Sequence, residues 1–291
     1  MALPSVFVKD SETAASLSAY IRSLACYCST SPDLTIFEPT IDVYSLLSNM
    51  ATLRIRTSNT APPNVLAPNL PLSSRLSNGQ PYNIVLFPAS ALTTGTRAVL
   101  FRMLDQNMKT IQDNSSFPYT KESKQEEMFD PTSRFLLALK SSASVPALEG
   151  KRPEEMSSVV ELTEDDVLGF VEWRFDTEET LRGSDVEVAY LYEIQLTSSS
   201  KGLGIGRTLM EILEEIGDRR QMQKVMLTCL KTNLNALQFY AKLGYEADEI
   251  DPTRMAKEDS ESDGDSNDSD DEDEEIVDYV ILSKALSRLK R

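Results

Sequence analysis

Apolar positions along the chain fall into short, distinct patterns. NIVLF (83–87), closed by Pro88, and RFLLALK (134–140) are compact apolar runs that predict strands, the second a buried one. Between them Val99, Leu100, Met103, Leu104, Met108 and Ile111 recur at intervals of three and four, which predicts an amphipathic helix from Thr96 to Asp113. LGFVEWRF (168–175) and AYLYEIQL (189–196) predict neighbouring strands, joined as a hairpin across the polar TEETLRGSD. A glycine-rich turn follows, then a helix from about 205 to 218, the strand KVMLTCL (224–230) and the helix NLNALQFYAKLG (233–244). A strand near Tyr245 and another in EIVDYVILSK (275–284) complete the pattern. Antiparallel strands followed by strand–helix–strand–helix make a mixed α/β sheet.

The polar remainder sets the expected organisation. Residues 61–81 contain Pro62, Pro63, Pro68, Pro71 and Pro81 and read as an irregular linker or insertion. Residues 141–165 read as a polar loop around Pro146, Gly150 and Pro153. Residues 1–60 are rich in Ser and Thr, with a faint helical pattern from Ile41 to Met50. The expectation is an N-terminal extension over 1–80 and one α/β domain over 81–291, carrying insertions at 141–165 and 258–275.

Composition narrows the chemistry. The 291 residues include no histidine, which excludes Ser-His-Asp and Cys-His catalysis and histidine-ligated metals. Proton transfer falls to Glu, Asp, Tyr, Lys, Cys or water. Cys26 and Cys28 fit neither a redox nor a zinc spacing, and three cysteines suit a reducing compartment. No apolar stretch is long enough for a membrane span, and the first residues lack the pattern of a secretory signal. Residues 258–275 carry twelve acids and no base; without them the net charge of −17 becomes −5. That run self-repels and should be disordered, and the bulk charge argues against direct nucleic-acid binding.

KGLGIGRTL (201–209) places Gly202, Gly204 and Gly206 between a strand and a helix. Backbone N–H groups and a helix N-terminus there make either a phosphate cradle or a plain turn. The stretch is neither a Walker A motif nor G-x-G-x-x-G. Read from Lys201, K-x-x-G-I-G-x-x-L resembles the acetyl-coenzyme A signature R/Q-x-x-G-x-G/A of the GNAT acetyltransferase family. Asn233-L-N-Ala236-L-Q-F-Tyr240-A-Lys242-L-Gly244-Tyr245 resembles the same family's second signature, N-x-x-A-x-x-x-Y-x-K-x-G-F/Y. The resemblance implies a GNAT fold, an α/β architecture with a mixed, mostly antiparallel sheet flanked by helices and splayed at the acetyl-CoA site. It implies acetyl-CoA as acetyl donor, no metal, and cofactor contacts from Ile194, Gln195, Leu196, Lys201, Gly202, Leu203, Gly204, Ile205, Gly206, Arg207, Asn233, Ala236 and Tyr240. Lys201 stands where the family usually has Arg or Gln, and Gly202 has no counterpart duty.

WRFDTE (173–178), YLYEIQL (190–196), QMQKVMLT (221–228) and NMKT with EEM (107–110, 126–128) are similar to the NatD type of N-terminal acetyltransferase. That type acetylates the α-amine of histones four and two-A, whose tails begin Ser-Gly-Arg-Gly. The match covers roughly 83–140, 168–249 and 276–284. Phe117, Pro118 and Tyr119 stand where the family often has Trp-Gly-Trp. The resemblance implies an enzyme of nucleus and cytoplasm, monomeric, whose partners are basic histone tails.

Site roles follow from that resemblance. Simple alternation along 190–196 puts Tyr190, Tyr192 and Ile194 on one face and Leu191, Glu193 and Gln195 on the other. By pattern alone Glu193 is a surface carboxylate; the resemblance makes it the catalytic base. An α-amine has a pKa of about 7.7–8.0, so a carboxylate can take its proton without histidine. Tyr192 would position the amine and Tyr240 protonate the leaving thiolate, although Tyr240 also reads as a core aromatic. Asp176 and Glu178 lie two apart, either as a solvated strand end or, by resemblance, gripping the Arg of the tail. Phe117, Tyr119, Tyr190 and Tyr192 complete the implied substrate set. Cys229 reads as a buried strand cysteine. Two other readings stay open: acetylation of another N-terminus or small amine, and an inactive acidic histone-binding module. The acidic run is either a solvated loop or a device that steers basic tails. Ser260, Ser262 and Ser269 each have an acid three residues on, which suits an acidophilic kinase.

Overall fold

The computed structural model describes residues 52–144, 159–181, 183, 185–254 and 277–286. The faint helix at 41–50, Cys26, Cys28 and the acidic run 258–275 with its serines lie outside the described residues. In chain order the elements are helices α1 (Leu53–Asn59) and α2 (Pro63–Leu66) and strands β1 (Leu72–Arg75) and β2 (Pro81–Pro88). Helices α3 (Thr94–Gln112) and α4 (Lys121–Met128) and strands β3 (Arg134–Lys140), β4 (Val167–Glu179) and β5 (Asp185–Leu196) follow. Helix α5 (Ile205–Arg219), strand β6 (Lys224–Leu230), helix α6 (Leu234–Leu243) and strands β7 (Glu246–Ala247) and β8 (Tyr279–Ala285) complete the described chain.

The strands form one sheet in the order β1-β2-β3-β4-β5-β6-β8-β7. Every pairing is antiparallel except β5 with β6, which are parallel and joined through α5. Helices α3 and α4 cover one face, packing Leu100, Met103, Leu104 and Met128 against Phe135, Leu137 and Phe170. Helix α5 covers the other: Gly217 lies close to Ala189 of β5. Local chemistry fixes the helix ends. The Thr93 and Thr120 side chains accept from Thr96 N and Ser123 N, capping α3 and α4. Asn233 Oδ1 accepts from Ala236 N at 3.3 Å, and Gly244 closes α6 in a left-handed conformation.

The Pro-rich stretch is not a linker throughout. Leu72–Arg75 form an edge strand paired from Leu72↔Ile84 to Arg75↔Pro81. Prolines flank this strand or stand at its partner's first residue, where no ladder N–H is lost. The unit of which the sheet is part begins at Thr52. Val160 and Leu162, expected in a polar loop, are buried, and the Thr96 hydroxyl bonds the Val160 carbonyl at 2.7 Å.

One irregularity decides the chemistry. In the β4–β5 ladder Glu172 pairs with Glu193, but Trp173 pairs with Leu191, so Tyr192 has no partner. This is a β-bulge, and one extra residue inverts the side-chain alternation beyond it. Tyr190 therefore shares a face with Arg174, Asp176 and Glu178, and so do Glu193 and Gln195 through Glu172 and Phe170. The simple alternation that placed Glu193 opposite Tyr190 is corrected: the bulge brings both to the face that carries α3 and α4.

Candidate active site

The β5–β6 pairing stops early. It runs from Val188↔Lys224 to Leu191↔Leu227 and no further, although β5 continues to Leu196 and β6 to Leu230. The strands diverge, and a cleft of about 510 Å³ opens between them. Its walls are Tyr190 to Gln195 of β5, Thr228 to Leu230 of β6, Asn233, Ala236 and Tyr240 at α6, Lys124 and Glu127 of α4, and the segment Ser116 to Tyr119. The Tyr190 and Thr228 hydroxyls meet at 2.6 Å across the point of divergence.

Glu193 lies on this wall, 7 % exposed. Its Oε1 is 2.8 Å from Lys124 Nζ, and its Oε2 accepts from Gln195 Nε2 at 2.8 Å. Lys124, also buried, reaches Glu127 at 2.6 Å. Burial alone pulls the Lys124 ammonium down, but Glu193 and Glu127 together hold it above the usual lysine range. The bonds continue outward: Asn107 Nδ2 donates to Gln195 Oε1 at 3.0 Å, and Lys201 Nζ donates to Asn107 Oδ1 at 3.4 Å. A side-chain chain thus links the carboxylate to the cation of the glycine loop.

That loop fits a phosphate group. Gly202 and Gly204 have φ of +77° and +94°, backbone that a side chain resists, so Gly202 has a conformational duty after all. Gly206 is small for another reason: a Cβ there would lie 3.3 Å from the Phe239 ring. The first helical bond of α5 is Thr208 N to Gly204 O, which leaves the N–H groups of Ile205, Gly206 and Arg207 ahead of it. Ser77 N, in the β1–β2 turn, donates to Leu203 O at 3.3 Å and braces the loop.

The remaining predicted residues divide. Tyr192, Ile194, Gln195, Asn233, Ala236, Tyr240, Phe117, Tyr119 and Tyr190 all line the cleft. Leu196 and the loop from Lys201 to Arg207 are not among its lining residues, and Arg207 pairs with Glu211 at 3.8 Å. Asp176 and Glu178 do not line the cleft but share the sheet face with Tyr190 and Glu193. Burial raises both of their pKa values, and Asp176 adds to the rise at Glu178. Tyr240 is buried, and desolvation pushes its hydroxyl far above the usual phenol range; it suits a hydrogen-bond donor better than a full proton donor. Burial likewise lifts the Cys229 thiol to about 11, which makes it inert at neutral pH. Phe117 packs edge-on to Tyr279 at 5.1 Å, and Asp278 accepts from Ser116 N and Oγ at 2.8 and 2.5 Å, tying the aromatic wall to β8.

Sequence reasoning missed Lys124, Asn107 and Glu172. Lys124 sits in KESKQEEM, a polar helix whose one buried cation carries no periodic mark. Glu172, in the middle of LGFVEWRF, was the legible signal: a lone carboxyl within an apolar run. It is fully buried, directly opposite Glu193.

Residues 111–245 match a family model described as the acetyltransferase (GNAT) family. This stretch is a GNAT-family acetyltransferase domain. The GNAT domain begins within α3 and ends beyond α6, so it contains the loop, the bulge and both cleft strands. Enzymes of this family take their acetyl group from acetyl-CoA, and the glycine loop and unpaired β5 edge have the donors such a group needs. The chain is 32 % identical over 78 residues to the uncharacterized protein YdhI of Bacillus subtilis, a match spanning 27 % of this chain and 46 % of that protein. It thus spans about half the length of that relative. Similar solved structures include the GNAT domain of S. lividans PAT, at 11 % identity, TM-score 0.43, and 74 % and 96 % of the two chains. Another is the NatC complex bound to Gag peptide and CoA, at 16 % identity, TM-score 0.40, and 70 % and 99 %.

Proposed function

We propose that the chain is an N-terminal α-amino acetyltransferase of the NatD type, acting on Ser-Gly-Arg-Gly histone tails in nucleus and cytoplasm as a monomer. The observation that carries this reading is the bulge. It sets Glu193 beside Tyr190 and Tyr192 on the cleft wall, with Asp176 and Glu178 farther along the same face. Acetyl-CoA supplies a thioester acetyl group. The amide C–N bond forms as the C–S bond breaks; the ammonium gives one proton to Glu193, and the second proton that the nitrogen loses goes to the leaving sulfur. Glu193 keeps lone pairs free for that proton, because Lys124 and Gln195 each occupy one of about four acceptor sites. Tyr192 orients the amine, and Tyr240 donates a hydrogen bond toward the sulfur. Asp176 and Glu178 receive the guanidinium of the third residue through charge-assisted bonds. The acidic run draws basic tails toward the site.

Mass spectrometry of acetyl transfer to Ser-Gly-Arg-Gly, Met-Asp and polyamine acceptors tests this. Transfer to Ser-Gly-Arg-Gly alone is expected. Preference for another acceptor changes the substrate, and histone binding with no transfer would make the chain an inactive binding module. Glu193→Gln is expected to bind acetyl-CoA and lose about 10²- to 10⁴-fold in kcat. Asp176→Asn with Glu178→Gln raises KM for the tail far more than for acetyl-CoA.

A further inference from the structure

Glu172 is an acid to which acetyl transfer gives no task. It is fully buried in β4, neither carboxyl oxygen has a hydrogen bond of ordinary length among the described residues, and its cross-strand partner is Glu193. A carboxyl in such a place is costly unless it stays neutral or finds a partner. Two cations lie within reach. Arg174 of β4 brings Nε to 3.6 Å, and Lys124 of α4 acts on it through space.

Both cations are already engaged. Lys124 holds Glu193 and Glu127. Arg174 places its guanidinium 4.3 Å from the centre of the Tyr192 ring, donates from Nε to Ser133 Oγ at 2.9 Å, and donates from Nη2 to the Glu127 carbonyl. On the β3 side Glu172 faces the apolar Phe135; Arg134 pairs with Trp173 and so points to the opposite face. Among the described residues, the charged and titratable groups that act on Glu172 are Arg174 on β4, Glu193 and Tyr192 on β5, and Lys124 on α4, itself paired with Glu127.

We propose that Glu172 is a positioning residue of the acetyl-transfer site: neutral, it leaves Lys124 to Glu193 and Arg174 to Tyr192, and on losing its proton it draws on both. Burial pushes its carboxyl up to about 8; Arg174, the Ser133 hydroxyl and Lys124 oppose that rise, and Glu193 adds to it. Glu172, which does not line the cleft, therefore keeps its proton across the neutral range. Ionised, Glu172 would close the 3.6 Å gap to Arg174, lift the guanidinium from Tyr192, and place two like charges opposite one another. This inference rests on the acetyltransferase reading.

The test uses the full chain and Glu172→Gln. Transfer to a Ser-Gly-Arg-Gly peptide is followed from about pH 7 to about pH 9, and the ratio of variant to wild-type kcat/KM is taken at each pH. The ratio cancels the titration of the amine itself. It is expected to rise roughly tenfold over that range, the loss of neutral Glu172 in the wild type. The KM for acetyl-CoA is expected to stay put. Infrared difference spectra are expected to show a protonated-carboxyl C=O band at neutral pH that Glu172→Gln removes. Glu172→Met, apolar and of similar length, is expected to give the same rising ratio. A flat ratio with the band present overturns the positioning role alone. Absence of the band, or a ratio that rises in one variant and not the other, overturns it as well. A protein that keeps the band yet acetylates no acceptor in either form sinks the acetyltransferase reading and this role together.

Discussion

Lys124→Met should be among the costliest single changes in the cleft, and the geometry says by how much. The Lys124 and Glu193 side chains are each 8 % exposed and lie 2.8 Å apart. Removing the ammonium leaves Glu193 charged and buried, with the Gln195 amide as its remaining donor. Breaking a buried pair from one side costs about 3–5 kcal/mol, a large share of the roughly 5–15 kcal/mol that holds a domain together. Glu193→Gln removes the other charge but leaves Lys124 with Glu127 at 2.6 Å, so it should cost less. The double variant Lys124→Met/Glu193→Gln carries no uncompensated charge and should be more stable than Lys124→Met alone, by about 2–3 kcal/mol. Urea unfolding at neutral pH, followed by circular dichroism and tryptophan fluorescence, measures all three; Trp173 is the sole tryptophan and is buried in the sheet. If the double variant is as unstable as Lys124→Met, the two charges are not coupled and the reasoning fails.

Three further outcomes follow from the same structure. Gly204→Ala forces a side chain into φ of +94° and should cost about 1–3 kcal/mol while weakening acetyl-CoA binding, as calorimetry would show. Glu172 binds a proton in the folded state between its unfolded value of 4.5 and its folded value of about 8. Its raised value means stability is greatest at the acid end of that window and falls with rising pH, by up to about 1.4 kcal/mol per unit; thermal melts of Glu172→Gln should lack this slope. Deleting 258–275 should lower kcat/KM for a basic tail at low salt and change little at high salt; a salt-independent effect would oppose steering.

Much of the sheet was legible because its strands are short apolar runs. RFLLALK and KVMLTCL coincide with β3 and β6, and the second GNAT signature turns out to be a helix start at Asn233 and a stop at Gly244. What escaped notice depends on partners distant in sequence. Leu72–Arg75 becomes a strand only because β2 lies beside it, among prolines that argue otherwise. The bulge cannot be read from YLYEIQL, since a register exists only between two strands, and alternation there gave the wrong face for Glu193. Lys124 and Asn107 look like ordinary surface residues of helices; tertiary packing turns them inward onto Glu193 and Gln195.

The early end of the β5–β6 pairing has a mechanical side. Strands β1 to β5 form one stiff plate and β6, β8 and β7 a second, and the hydrogen-bonded seam between the plates is four residue pairs long, from Val188↔Lys224 to Leu191↔Leu227. Each cleft wall is backed by a neighbour on its far side, β5 by β4 and β6 by β8, so neither wall sags into the opening. The hydrogen bonds that tie the two plates together are therefore confined to the base of the wedge. A loosened pair there would change the angle of the cleft, and with it the distance from Glu193 to Tyr240, without touching either residue.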